Sequence, residues 1–159
     1  ISTPDRIEEI ENLEKLYLFN NKIGTVASEA GELKKLKRLV LSNNDIDSLP
    51  AAIGELESIE FLSLKANKMK RIPPEIGKLS NLKILEIGRN NLVKIPPEIG
   101  DLIGLAELNI ARSGGDLRLP STFCSLKKLD NLYVDETQLV PACLTIMPRP
   151  NFRIVRLRY

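Results

Sequence analysis

Apolar residues recur along this chain in one fixed figure. Leu13, Leu16 and Leu18 precede Asn21 and Ile23, and the spacing returns as Leu36, Leu39, Leu41, Asn44 and Ile46. It returns again as Ile59, Leu62, Leu64, Asn67 and Met69, and as Leu82, Leu85, Ile87, Asn90 and Leu92. Leu105, Leu108 and Ile110 follow, then Leu129, Leu132 and Val134, then Phe152, Val155 and Leu157; the first members lie 23, 23, 23, 23, 24 and 23 residues apart. Two apolar residues flanking a single intervening position predict a short strand with one buried face. The roughly twenty residues between strands leave room for the crossover that parallel pairing requires.

A second figure alternates with the first. Pro50 leads to Ile53-Gly54 and Leu56, Pro73-Pro74 to Ile76-Gly77 and Leu79, and Pro96-Pro97 to Ile99-Gly100 and Leu102. Pro120, Phe123 and Leu126 keep the frame with Cys124 at the glycine position, and Ala27, Ala30, Gly31 and Leu33 form a weaker copy. Proline fixes φ and needs no amide partner, so this figure predicts a short helical turn on each return path. The asparagines at 21, 44, 67 and 90 fall where the chain bends away from the strand, and their amides suit unpaired backbone groups of the coil interior.

This pattern, LxxLxLxxNxL followed by PxxIGxL, resembles the leucine-rich repeat. It is the 23-residue type, similar to bacterial leucine-rich repeat proteins and to the Ras-associated intracellular repeat family. The resemblance covers the chain from Ile7 to Leu157. It implies an α/β fold, a right-handed solenoid or horseshoe with about seven parallel strands on the concave face and short helical turns on the convex face. It also implies that the concave sheet is the binding surface, while leaving the partner unspecified.

Departures from the figure mark the ends. Ser113 stands where Asn is expected, and Gly114-Gly115-Asp116 adds a residue before Pro120, predicting a looser loop at that strand's exit. Thr137 also replaces Asn, Pro141 arrives early, and Pro148-Arg149-Pro150 leads straight into the last strand, as in a terminal cap. The expected organisation is one domain over 1–159: an N-terminal cap at 1–12, repeats at 13–136, and an irregular C-terminal cap with the last strand at 137–159. Cys124 and Cys143 fall on different phases of the repeat, so free buried thiols are expected rather than a disulfide. The paired disulfide caps common on secreted eukaryotic relatives are not expected here.

Composition narrows the chemistry. The chain has 159 residues and no histidine, so no Ser-His-Asp or Cys-His pair can be built. Two cysteines and nine glycines supply neither a cysteine-rich metal knuckle nor a phosphate loop. No enzyme activity, metal or cofactor is therefore expected. The net charge of +2 argues against a nucleic-acid partner, and no apolar run is long enough to span a membrane. Charge is uneven: residues 1–14 hold five acids against Arg6, whereas 137–159 hold Arg149, Arg153, Arg156 and Arg158 and no acid. That asymmetry permits weak head-to-tail self-association.

With the register fixed, the side chains on the solvent face of the sheet can be read off. Five of the seven aromatics (Tyr17, Phe19, Phe61, Tyr133 and Tyr159) fall there, and only Phe123 and Phe152 take core positions. In the last strand the outward positions are Ile154, Arg156, Arg158 and Tyr159. Tyr17, Phe19, Val40, Phe61 and Ile84 form an apolar diagonal across the first four strands, edged by Lys15, Arg38 and Lys65. Apolar anchors with a charged rim are the layout of a protein interface. The expected function is a non-catalytic scaffold binding a protein or peptide on the N-terminal half of the concave face. The alternative is a bacterial surface or secreted adhesion or structural protein with a host or self partner. The sequence leaves the compartment open, an extracytoplasmic bacterial location being favoured over the cytoplasm.

Overall fold

A computed structural model describes residue 10 and residues 12–115, 117–146 and 149–158; most of the expected N-terminal cap, with Asp116 and Tyr159, lies outside the described residues. Seven strands form one parallel sheet in sequence order. They are β1 (Lys15–Tyr17), β2 (Arg38–Val40), β3 (Phe61–Ser63), β4 (Ile84–Glu86), β5 (Glu107–Asn109), β6 (Asn131–Asp135) and β7 (Arg153–Leu157). Return paths carry 3-10 turns at Ser28–Glu32, Ala51–Glu55, Pro74–Lys78, Pro97–Asp101 and Ser121–Ser125. The sixth return carries one turn of α-helix, α1 (Cys143–Ile146). This is the leucine-rich repeat solenoid that the spacing predicts.

Each coil contributes the same core residues at the same height. In β2 to β6 and their flanks, all fifteen predicted core positions are at most 2% exposed. At roughly 1.5–3 kcal/mol for each buried large aliphatic side chain, this continuous column is the main driving force for folding. Phe123 fills the slot that Ile53, Ile76 and Ile99 occupy in earlier turns, and is fully buried.

Three stacked devices set the pitch. Asn44, Asn67 and Asn90 are buried, and each repeats one set of bonds. Asn67 Nδ2 donates to Leu64 O of its own coil and Leu41 O of the coil before, both at 3.0 Å, and its Oδ1 accepts from Ile46 N. The residue ahead of each such asparagine has a left-handed backbone: Asn43, Ala66 and Arg89, with Asn20 and Arg112 in the flanking coils. On the return side, glycine is required at Gly31, Gly54, Gly77 and Gly100. An added Cβ would sit 2.6 Å from a carbonyl oxygen of the next turn, Ala52, Glu75, Glu98 and Thr122 respectively.

Ser113 closes the loop expected to be looser. It is fully buried, its Oγ donates to Ile87 O, and its own carbonyl takes Leu92 N–H, the bond an asparagine side chain would otherwise make. That closer path explains Gly114, where any Cβ would collide with Leu92 O.

Two expectations at the C-terminal end are corrected. First, β7 pairs with β6 one residue off the 23-residue phase, with Leu132 opposite Ile154 and Tyr133 opposite Val155. A one-residue slip exchanges the faces of a strand. Ile154 therefore packs against the core, while Val155 and Leu157 share the open face with Tyr133 and Asp135. Arg156 takes the Val134 column, where its guanidinium donates to Glu136 O and Gln138 O. Second, Cys124 and Cys143 are not free thiols: they form a disulfide, with Cα atoms 5.8 Å apart. Cys124 occupies the glycine position of its turn. The following coil turns into α1 instead of stacking another 3-10 turn, so the side chain that would collide in earlier coils reaches Cys143. Arg149 completes this cap, donating to Leu126 O and Cys124 O.

Candidate functional site

Parallel register arranges the open face in columns. One runs Lys15, Arg38, Phe61, Ile84, Glu107, Asn131; the next runs Tyr17, Val40, Ser63, Glu86, Asn109, Tyr133. Column neighbours are on adjacent strands, about 4.8 Å apart. The predicted residues are therefore brought together as follows: Tyr17 lies beside Val40, Arg38 beside Phe61, and Phe61 beside Ile84. Lys15 is exposed, whereas Arg38, Val40, Phe61, Lys65 and Ile84 are half-buried. Tyr17 and Phe19 stand out at 52% and 50% exposed.

One relationship within this patch was missed. Arg38 does not lie at the rim; its guanidinium stacks 3.9 Å from the Phe61 ring centroid. A cation over an aromatic face is held by the ring quadrupole, so Phe61 offers its remaining edge and Arg38 a fixed, planar cation. The signal was available, since residues 23 apart in a strand column are neighbours.

β4 and β5 place acids on the face. Glu86 on β4 and Glu107 on β5 face solvent in adjoining columns. Partial burial, and secondarily the Glu86 carboxylate, push the Glu107 carboxyl above the usual range. Asp135 is committed otherwise: its carboxylate accepts from Arg112 N at 2.9 and 3.0 Å, replacing the backbone carbonyl that serves this position in earlier coils. Ser63, between Val40 and Glu86, is only 2% exposed, and its hydroxyl makes no hydrogen bond among the described residues.

Away from this face, charges are paired across coils at 23-residue separation. Lys37 Nζ lies 2.8 Å from Glu14, Lys83 2.9 Å from Glu60, and Lys68 2.7 Å from Asp45. The lysine hydrogen bonds and charges hold the Glu14 and Asp45 carboxyls below their ordinary values. Arg158 pairs with Glu136 at the C-terminal end, at a separation of 22 residues. With Arg149 and Arg156 bonded to backbone carbonyls, three of the four arginines of that basic end have partners inside the molecule.

Family models described as leucine rich repeat match residues 11–69 and 81–102, about half of the chain. The chain belongs to the leucine-rich repeat family. No curated protein sequence matches it. Among solved structures, this leucine-rich repeat chain is similar to PEPR1–AtPEP1, at 29% identity and TM-score 0.72 over 83% of its length and 20% of that chain. It is also similar to a plant ice-binding protein, at 25% identity and TM-score 0.78 over 98% of its length and 52% of that chain. The plant peptide hormone receptor RGFR1 in complex with RGF2 shares the fold, at 22% identity and TM-score 0.73 over 98% and 30%. The chain thus spans about half or less of each of these proteins. A peptide hormone receptor and an ice-binding protein on one scaffold show that the repeat alone does not choose a ligand. Among the described residues, no helix is long and apolar enough to cross a membrane.

Proposed function

We propose that this leucine-rich repeat chain is a non-catalytic scaffold that binds a protein or peptide on the open, concave face of its sheet, chiefly over β1 to β4. The observation that carries the reading is the exposure of Tyr17 and Phe19 side by side on one edge of that face, continuous with Val40 and the Arg38–Phe61 stack. Large apolar groups clustered on a rigid surface, with cations around them, fit the anchors and rim of an interface. The use of this fold by a peptide hormone receptor supports the same reading. Replacing Tyr17 and Phe61 with Asp removes both anchors without touching the core. In a selection from random linear peptides, wild type should retain binders that the double variant loses while its circular dichroism is unchanged. Equal retention by both proteins would falsify the assignment to this face.

A secreted or surface protein with a host or self partner is the second reading. The Cys124–Cys143 disulfide favours it, because such bonds persist in oxidising compartments. Native mass spectrometry of protein drawn from cytoplasmic and exported fractions would discriminate: a reduced chain confined to the cytoplasm removes the support.

A further inference from the structure

Glu86 and Glu107 are the unbalanced part of the open face. Neither side-chain carboxylate makes an ion pair or a hydrogen bond among the described residues, although acids on the flanks of the solenoid pair with a lysine one coil away. A second observation points the same way. The Ser63 hydroxyl, registered directly beside Glu86, is buried and has no hydrogen-bond partner among the described residues. Buried polar groups are ordinarily hydrogen-bonded, so a lone hydroxyl beside a lone carboxylate describes a polar position with a missing donor. Ile84, half-buried, separates Phe61 from Glu107 in the neighbouring column and provides an apolar strip leading to the two acids.

An ammonium carries three donors and no acceptor, and a guanidinium five. Their aliphatic stems lie along apolar surface while the charged end seeks oxygen. We infer that the open face receives an extended peptide whose lysine or arginine side chain lies over Ile84 and ends between Glu86, Glu107 and the Ser63 hydroxyl. This rests on the peptide-binding reading above and adds the chemistry of the ligand. Tyr17 on β1 is three to four strand steps from these acids, about 14–19 Å. An extended peptide covers that distance in about four to six residues. The ligand therefore has an aromatic or aliphatic residue for the Tyr17–Phe61 region and a basic residue about four to six positions away. An acidic residue near the apolar one would meet Lys15 and Arg38.

The test is selection from a random linear peptide library on three folded proteins: wild type, E86Q/E107Q and E86K/E107K, with Y17D/F61D beside them. Wild type should enrich lysine or arginine at that separation from an apolar residue. A synthetic winner should weaken about tenfold or more on E86Q/E107Q, the scale of a lost charged hydrogen bond. E86K/E107K should instead enrich aspartate or glutamate at the same place, an inversion that a purely structural role does not produce. Peptides that need Tyr17 and Phe61 but show no basic preference, or the same preference on E86K/E107K, overturn this inference and leave the peptide-binding reading standing. If wild type enriches no peptide sensitive to Y17D/F61D, both fail.

Discussion

Replacing Asn67 tests whether the asparagine column holds the coils together. In the native chain Leu41 O and Leu64 O each accept two amide donors, one from the asparagine of their own coil and one from the next. An Asn67→Ala change leaves each carbonyl with one remaining bond. Ile46 N–H, buried and bonded only to Asn67 Oδ1, is left without any. An orphaned buried donor costs about 1–3 kcal/mol, and the vacated amide adds a small cavity. The sum is about 2–4 kcal/mol, or a melting temperature lower by about 5–15 °C for a domain of this size. Asn67→Asp sharpens the test. Its carboxylate can still accept from Ile46 N, but it places negative oxygen where Nδ2 now lies 3.0 Å from two carbonyls. The ionised form is disfavoured, so the folded-state pKa rises above the unfolded value of about 3.9. By linkage, the stability of this variant is fully present below the unfolded pKa and is lost as pH rises through the folded one. Urea melts followed by circular dichroism at neutral and mildly acid pH measure both variants. A loss under about 0.5 kcal/mol for Asn67→Ala, or a pH-independent penalty for Asn67→Asp, would refute the assignment.

Three further outcomes follow from the same geometry. Gly77→Ala should destabilise by about 1–3 kcal/mol, because its Cβ meets Glu98 O at 2.6 Å, whereas Gly24→Ala, with open space around it, should not. Thermal melts of the two separate a packing effect from a general cost of replacing glycine. Reducing the Cys124–Cys143 bond, or changing both cysteines to Ser, should lower stability by about 3 kcal/mol, the loop-closure value for a separation of 19 residues; equal urea midpoints with and without reductant would count against it. Glu107→Gln should raise the melting temperature slightly at neutral pH, since burial and Glu86 disfavour the carboxylate. A raised folded pKa means that this handicap is absent below the unfolded value and grows as pH rises through the folded one. The two proteins should therefore converge in acid, and a difference that persists at low pH would contradict the cause.

The core was legible because a solenoid repeats its environment: once Leu39 is assigned inward, Leu62, Leu85 and Leu108 inherit the assignment through the register. The last strand failed for a physical reason. Ile154 and Val155 are adjacent apolar residues, so either phase of β7 buries one of them, and a 23-residue extrapolation chose the wrong one. In the observed phase the charged Arg156 occupies the Val134 column by bonding to carbonyls of its neighbour. The disulfide was hidden by reasoning from strand phase alone. The glycine column points each Cβ at the following coil, so a cysteine at that position should have been matched against residues about twenty further on. The open face was legible as a set of columns. Its contacts were not, since Arg38 over Phe61 depends on rotamers that spacing does not set.

Charge placement separates the two surfaces of the molecule more sharply than hydrophobicity does. On the flank preceding the strands, sign alternates up the solenoid as Glu14, Lys37, Glu60 and Lys83, and close pairs join the first two and the last two. Exposed pairs of this kind contribute little stability. Their alternation matters mainly because stacking forces like positions within about 5 Å of one another, where like charges repel. The open face obeys the same stacking but not the same alternation: Lys15 and Arg38 are column neighbours of one sign, and Glu86 and Glu107 are close enough for one to disfavour ionisation of the other. The second arrangement disfavours ionisation of Glu107, and neither carboxylate has a compensating partner among the described residues, whereas Arg38 is held over the Phe61 ring. A ligand cationic toward β5 would remove that cost, while an anionic group toward β1 would meet Lys15 and Arg38. The fixed coil spacing would hold the two ends in place before the ligand arrives.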